Sequence, residues 1–146
     1  MEETKKWLNR AYATEKEIKI LKEELKKANL KATSLAAQKI GEKVQTSKVN
    51  NADYAILKCV EYSEQITKKL GELYAIKTEI FEIISRVDDG KSRVLLRMRY
   101  LRYMSWTEIA NELDYSVRNT HYIHDKALEE ARDIIAHTCS SKCDIV

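Results

Sequence analysis

The sequence predicts an all-α protein, in which a long antiparallel helical hairpin (a coiled coil) is followed by a C-terminal helix-turn-helix domain. The 146 residues include no proline and only three glycines, so long helices can run without interruption. Apolar side chains recur at spacings of three and four residues in two long stretches, which is the period of an amphipathic helix. A third, shorter stretch near residue 110 has the residue types that begin and end short helices.

The first long helix is predicted over residues 3–35. Its apolar or small side chains repeat every seven residues in two series, which correspond to positions a and d of a coiled-coil heptad. The first series is Ala11, Ile18, Leu25 and Ala32, and the second is Trp7, Thr14, Leu21, Ala28 and Leu35. We therefore expect this face to pack along a partner helix.

Residues 38–51 are predicted to form a loop, because glycine, serine, threonine and asparagine are concentrated there. The second long helix is predicted over residues 52–87. Its apolar pattern shifts by one position near residues 73–76, which indicates a stutter or a wider buried face. The apolar set is Ile56, Cys59, Val60, Ile66, Leu70, Leu73, Ile76, Ile80, Ile83, Ile84 and Val87. Two helices of matched length and a short loop predict an antiparallel hairpin.

Three aromatic side chains of the second helix, Tyr62, Tyr74 and Phe81, favour a homodimer formed through this hairpin. A two-helix hairpin buries little apolar surface, so these side chains require a further partner. The alternative is that they pack against the C-terminal helices of the same chain.

Asp88, Asp89 and Gly90 end the second helix and mark the predicted domain boundary. The expected organisation is a coiled-coil hairpin over residues 1–88 that oligomerises, a helix-turn-helix domain over residues 91–136, and a flexible tail over residues 137–146.

An arginine-rich helix is predicted over residues 92–104, and no acidic residue lies between positions 89 and 108. Its basic residues are expected to contact DNA phosphates, which would make binding depend steeply on salt, although not all of them can face one duplex. The set is Lys91, Arg93, Arg97, Arg99 and Arg102, of which we assign Arg97, Arg99 and Arg102 to the interface. The alternative is a solvated face, with some of these arginines paired with Glu108 or Glu112.

The first helix of the predicted helix-turn-helix begins after Ser105. Ser105 and Glu108 have the spacing of a capping box. Ile109, Ala110 and Leu113 fall on one helical face, and the small side chain of Ala110 fits the close crossing of two helices joined by a short turn.

The turn and the second helix follow directly. Asp114 is a residue type that tolerates the left-handed conformation at a helix end, and Ser116 is a candidate N-cap for the second helix. That helix would direct Thr120, Ile123 and Ala127 toward the core.

The opposite surface of the second helix is the candidate DNA-binding surface. In a helix-turn-helix the N-terminal part of this helix lies in the major groove, where arginine pairs with guanine and asparagine with adenine. The residues expected to bind DNA here are Val117, Arg118, Asn119, His121, Tyr122 and Lys126, together with Thr107 of the preceding helix. The alternative is a helical hairpin packed on its own core, with Arg118 and Asn119 merely solvated.

Three motifs follow one another in this region: LRMRY at residues 96–100, WTEIA at 106–110 and ALEEAR at 127–132. In this order they resemble region 4 of bacterial sigma-70-type factors. The stretch 94–132 is even more similar to the small phage and prophage transcription regulators of Gram-positive bacteria, the ArpU/RinA-type late-gene regulators. Those proteins place a His-x-x-His pair before a basic-Ala-Leu sequence, which is HYIHDKAL at residues 121–128 here. Two departures are Asp114 where glycine is usual and Thr120 where valine or isoleucine is usual.

This resemblance implies a sequence-specific, DNA-binding transcription regulator of phage or prophage origin, which binds promoter DNA through its C-terminal helix-turn-helix. It also implies that the sigma-like module could contact bacterial RNA polymerase. Double-stranded DNA is the expected partner, and a homodimer is the favoured assembly.

The sequence gives little support for catalysis, cofactor binding, metal binding or membrane insertion. His121 and His124 lack an arranged nucleophile, and no glycine-rich phosphate loop or HExxH motif is present, so we expect no enzyme and no cofactor. His137, Cys139 and Cys143 lack the usual zinc-ligand spacing, so no metal site is expected. The charged N-terminal residues and the lack of a long apolar run favour a protein of the host bacterial cytoplasm.

Two further functions stay open. One is a DNA-packaging recognition subunit like the small terminase, which also joins helix-turn-helix modules to helical hairpins; a ring of eight or more chains would favour it. The other is a coiled-coil protein-interaction adaptor whose C-terminal module no longer binds DNA. Retained binding to duplex DNA at physiological salt would count against the adaptor.

Overall fold

The computed structural model describes residues 1–41 and 46–143, and every regular element within these ranges is an α-helix. This confirms the all-α prediction. The helices are α1 (Glu2–Leu8), α2 (Arg10–Gly41), α3 (Thr46–Ser85), α4 (Gly90–Tyr100), α5 (Trp106–Glu112) and α6 (Val117–Cys143).

The chain forms two compact units. The hairpin unit comprises Thr14–Leu73, and the C-terminal unit comprises Met1–Ala13 together with Tyr74–Val146. The division therefore falls inside α2 and α3, whereas the boundary expected from the sequence lies at residues 88–91. The last turns of α3 and all of α1 belong with the C-terminal helices.

Within the hairpin unit, α2 packs against α3 through the predicted heptad face. Ile18 is buried, and the other predicted seam positions in this unit are half-buried, whereas their neighbours on the outer side are exposed. Arg10 of α2 forms an ion pair with Glu79 of α3, and Glu17, further along α2, forms one with the earlier residue Lys69, with 2.8 Å between Glu17 Oε2 and Lys69 Nζ. These two pairs indicate that the two helices run in opposite directions, as predicted.

Two heptad series run along α3, one of them continuing to Val87 just beyond its end, without a shift in position. Half-buried Lys77 and Glu79 and buried Ile84 widen the buried face after residue 76, which is one of the two expected alternatives. One series of buried or half-buried positions is 52, 59, 66, 73, 80 and 87, and the other is 55, 62, 69, 76 and 83. Lys69 occupies a position of the second series, which hid the continuity in the sequence. Ile56, Val60 and Leu70, which we assigned to the apolar seam, are exposed instead.

Some helix bounds also differ from the prediction. The first long helix is interrupted at Asn9, which has φ −90° and ψ 1° and ends α1 through a hydrogen bond from its N–H to the carbonyl of Lys5. Of the predicted loop over residues 38–51, positions 42–45 lie outside the described residues and the rest is helical. Helix α6 continues to Cys143, so most of the expected flexible tail is helical.

The core of the C-terminal unit collects side chains from helices that are far apart in the sequence. The largest fully buried apolar side chains of this unit are Leu8, Ile80, Ile84, Val87, Leu95, Leu96, Ile109 and Leu128. Burial of a large aliphatic side chain stabilises a fold by about 1.5–3 kcal/mol. This shared core fixes α5 and the first half of α6 on a rigid base.

The corner between α3 and α4 is closed by hydrogen bonds. Arg93 Nη1 donates to the carbonyls of Val87 (2.6 Å) and Asp88 (2.8 Å). The backbone N–H of Asp88 donates to Glu130 Oε1 of α6 at 2.5 Å. Asp89 caps α4 by accepting from the backbone N–H of Ser92 at 2.9 Å. These bonds tie α3, α4 and α6 together at one point.

Candidate nucleic-acid interface

Helix α5 begins with the predicted capping box. The Ser105 hydroxyl accepts from the backbone N–H of Glu108 at 3.3 Å, and Glu108 Oε2 accepts from the backbone N–H of Ser105 at 2.7 Å. The hydrogen bonds from Ser105 favour the ionised carboxylate and lower the pKa of Glu108. Two N–H groups that the helix leaves without partners are thereby satisfied.

The turn between α5 and α6 is built by local hydrogen bonds. Asp114 has φ 55°, the left-handed conformation expected from its position. The N–H of Tyr115 donates to the carbonyl of Ala110 at 2.9 Å, and the N–H of Asp114 donates to that of Asn111 at 3.3 Å. This pair of bonds is a Schellman motif, which ends a helix sharply.

Ser116 then starts α6. Its hydroxyl accepts from the backbone N–H of Asn119 at 3.1 Å, so the predicted N-cap is confirmed. Two tightly capped helices with a short turn between them therefore form the helix-turn-helix geometry that the sequence predicts.

The inner face of α6 anchors this element. Thr120, Ala127 and Leu128 are fully buried, and Ile123 is half-buried. Thr120 satisfies its hydroxyl by donating to the carbonyl of Ser116 at 3.0 Å, which explains how threonine replaces the usual aliphatic residue at this position. Ala110 is 2% exposed, as expected for a small residue at a close helix crossing.

The outer face of the first turns of α6 carries the predicted base-contacting residues. Val117, Arg118, Asn119 and Tyr122 are all exposed. Within the described parts of the chain, the Arg118 side chain has no hydrogen bond or ion pair, so its guanidinium is available to a ligand. Lys126 is exposed as well, with its Nζ 5.2 Å from the centre of the Tyr122 ring.

The two histidines of α6 differ in environment. The His121 ring is exposed and lies 4.2 Å from the ring of Trp106. His124 is buried, and its Nε2 lies 2.9 Å from the hydroxyl of Tyr100, a hydrogen-bond distance. Burial lowers the pKa of His124 to about 4 and raises the pKa of Tyr100 to about 12. His124 is therefore a neutral part of the core.

Two of the arginines expected to contact phosphate have partners within the protein. Arg97 lies over the ring of Phe81 at 4.7 Å and donates to the Ser85 hydroxyl at 3.3 Å. Arg99 donates to the carbonyl of Met104 at 2.9 Å and lies over the ring of Trp106 at 4.5 Å. These arginines hold α4 against α3 and against the start of α5.

Arg102 and Thr107, the remaining predicted contacts outside α6, are both exposed. The phosphate-binding role of the arginine-rich helix therefore stays a prediction, and Arg102 is the member of the predicted set that the packing of α4 leaves exposed to solvent.

The basic part of the exposed face of α6 ends at Lys126. Beyond Lys126, the exposed side chains Glu129 and Asp133 follow on the same outward face. Because carboxylates repel anions, this charge pattern favours an anionic partner only along the first three turns of the helix.

An open cleft of about 450 Å³ lies beside α6, and the sequence analysis did not identify it. Lys91 and Ser92 of α4, Tyr115 of the turn, and Asn119, Tyr122 and Lys126 of α6 line it. Lys91 was visible in the sequence as one more basic residue of the arginine-rich segment. Nothing in the spacing indicated that it would lie near Tyr115, because that proximity depends on how α4 packs against the turn.

Residues 30–133, more than half of the chain, match the family described as "Protein of unknown function (DUF1492)". The chain belongs to this family. The match includes all of α4 and α5 and the first part of α6, so the helix-turn-helix lies within the family region. No curated protein and no solved structure matches this DUF1492 chain.

Among the described residues, no group of three or more His, Cys, Asp or Glu side chains is arranged to hold a metal ion. His137 and Cys139 are exposed, and the side chain of Cys143 lies outside the described residues. No helix within the described ranges has the length and apolar character needed to cross a bilayer.

Proposed function

We propose that this protein binds double-stranded DNA through α5 and α6 and acts as a sequence-specific transcription regulator of phage or prophage origin. The observation that carries the proposal is the presentation of α6. A capped, sharply closed turn holds the helix, its inner face is buried, and Arg118, Asn119 and Tyr122 are exposed on its first turns.

The chemistry of these side chains supports readout of bases. Arginine offers two parallel donors to guanine, and asparagine offers a donor and an acceptor to adenine, both in the major groove. Both side chains lie within the first three residues of α6, where helix-turn-helix proteins contact base edges. A purely structural hairpin would have no need of an unpaired guanidinium at this position.

The resemblance of residues 94–132 to ArpU/RinA-type regulators and to sigma region 4 supports the assignment as a transcription regulator of phage or prophage origin. On this reading the protein acts at promoter DNA in the bacterial cytoplasm, and its sigma-like module contacts RNA polymerase. We also propose that it works as a homodimer. Tyr74 and Phe81 are 77% and 48% exposed, which leaves apolar surface available to a second copy.

Selection from a random pool of DNA duplexes, at low and near-physiological salt, tests the proposal directly. A bound fraction enriched in a two-fold-symmetric site would support a dimeric regulator, with half-sites about 34 Å apart or a multiple of that distance. Absence of binding even at low salt would contradict the proposal. The mass of the assembly in solution separates the alternatives, since a ring of eight or more chains would favour a packaging subunit.

Arg118→Ala tests the mechanism of recognition. We expect loss of about 1–3 kcal/mol of affinity for the selected site and a smaller loss for unrelated duplexes. Arg132→Ala is the matched control, because Arg132 is an exposed arginine of the same helix and lies about 21 Å further along its axis. Equal losses of Arg118→Ala on all sequences would show that Arg118 holds phosphate without reading bases.

A further inference from the structure

We propose that the cleft between the start of α4 and the flank of α6 holds a backbone phosphate of the DNA, bound between Lys91 and Lys126. This inference rests on the proposed DNA binding. It adds to that proposal a defined position for one strand, and it selects Lys91 from the basic residues of the arginine-rich segment and pairs it with Lys126 of α6.

The cleft lies along the side of α6, where a DNA backbone would pass if this helix occupied the major groove. The major groove is about 12 Å wide, and an α-helix with its side chains is about 10–12 Å across. A recognition helix therefore fills the groove, and its flanks meet the phosphates of the groove walls. Asn119 and Lys126 are seven residues apart on α6 and share one flank, and both line the cleft.

The two lysines of the cleft form no close ion pair with a carboxylate of the described residues, although Tyr115 and, to a smaller extent, Asp89 favour the charged form of Lys91 and raise its pKa. Lys91 Nζ lies 5.6 Å from the centre of the Tyr115 ring, and Lys126 Nζ lies 5.2 Å from that of Tyr122. An aromatic face within about 6 Å attracts a cation, so both flexible side chains are guided toward the cleft without loss of their charge.

The two carboxylates that also line the cleft have partners. Asp89 accepts from the backbone N–H of Ser92 at 2.9 Å and from its hydroxyl at 2.8 Å. Glu130 accepts from the backbone N–H of Asp88 at 2.5 Å. These bonds engage one oxygen of each carboxylate, Asp89 Oδ2 and Glu130 Oε1, and hold both acids at the corner between α3 and α4. The lysines, whose side chains are longer and not held in this way, are the groups that can reach an anion.

The first measurement is the salt dependence of binding by the full chain to one fixed duplex. Each phosphate contact contributes about 0.9 to the slope of log Kobs against log salt concentration. We expect the double variant Lys91→Gln and Lys126→Gln to reduce this slope by about one phosphate contact, with equal loss on specific and unrelated sequences. Lys68→Gln, an exposed lysine of the hairpin unit, is the control and should leave the slope unchanged.

The second measurement places a methylphosphonate, which lacks the charge of a phosphate, at each backbone position in turn. At one position per half-site, the substitution should weaken binding of the wild-type chain and leave binding of the double variant unaffected. An unchanged slope in the double variant, or the same response of both proteins at every position, would overturn the assignment of the cleft while leaving DNA binding intact. If the wild-type chain bound no duplex, both proposals would fall.

Discussion

The buried imidazole of His124 predicts that the C-terminal unit loses stability in mild acid. His124 is 3% exposed, and burial is the main cause that lowers its pKa from 6.5 to about 4. The carboxylate of Asp125 acts in the opposite direction, and Lys5, Arg99 and His121 reinforce the lowering. Protonation of His124 in the folded state would place a charge in the core beside the Tyr100 hydroxyl.

The sign of the effect follows from the two pKa values. The unfolded chain takes up the proton near pH 6.5, whereas the folded chain takes it up only near pH 4. The stability contributed by neutral His124 is therefore fully present above pH 6.5 and is lost as the pH falls toward 4. The total loss is on the order of 3 kcal/mol, of which about 2 kcal/mol is already lost at pH 5.

Urea denaturation followed by circular dichroism, at about pH 7.5 and about pH 5, measures this loss. The comparison is with His124→Gln, which keeps a hydrogen-bonding side chain near Tyr100 but does not titrate. Between the two pH values, the wild-type chain should lose about 2 kcal/mol more than the variant. Because His121 and His137 are present in both proteins, their contributions cancel. Equal losses in the two proteins would refute the reasoning, since they would show that His124 titrates in the folded state as it does in the unfolded one.

Three further substitutions test the local structure, each by its effect on the urea midpoint. Asp114 has the left-handed φ of 55°, so Asp114→Gly should raise the free energy of unfolding and Asp114→Val should lower it by about 1–2 kcal/mol. A glycine variant less stable than the valine variant would contradict this backbone conformation. Ser116→Ala should cost about 1 kcal/mol through loss of the N-cap, whereas Ser116→Thr should keep most of it. Lys69→Leu should raise stability by roughly 1 kcal/mol, since it adds apolar surface to the seam and gives up only partly exposed ion pairs with Glu17 and Glu72. No change with Lys69→Leu would show that solvent surrounds position 69.

The features that the sequence predicts well are those set by near neighbours in the chain. The Ser105–Glu108 capping box, the left-handed Asp114 and the Ser116 N-cap all depend on contacts within a few residues. The heptad face of α2 was predicted for the same reason, since helical periodicity places its members on one side. Local geometry is encoded in local sequence, and the helix-turn-helix is almost entirely local.

The features that the sequence did not predict depend on long-range packing. Lys69 sits in the seam because Glu17 of the opposite helix pairs with it, and a pattern of apolar residues alone cannot indicate this. Asn9 ends α1 without a proline or glycine to signal the break. Leu8 belongs to the same buried core as Leu128, although 120 positions separate them in the chain.

The arginines of α4 show that a run of basic residues has more than one structural meaning. A run of cations without acids resembled a phosphate-binding face, yet Arg93, Arg97 and Arg99 each donate hydrogen bonds to groups of the protein. The guanidinium group satisfies backbone carbonyls and stacks on aromatic rings as readily as it binds phosphate. The lysine at position 91, which is less suited to those structural tasks, is the cation of this segment that lines the open cleft.

The closed corner between α3 and α4 has a consequence for how this protein can be cut. Proteases cleave extended, accessible backbone, and Arg93 and Glu130 hold the backbone at residues 87 and 88 in place. Digestion should therefore spare this corner, and the helix-turn-helix should be recovered still joined to the end of α3. A fragment that began at residue 91 would lack Ile80 and Ile84, which are fully buried in the intact chain. The core side chains that pack against them would then be exposed to solvent. The smallest piece that keeps the helix-turn-helix folded thus carries its own segment of α3.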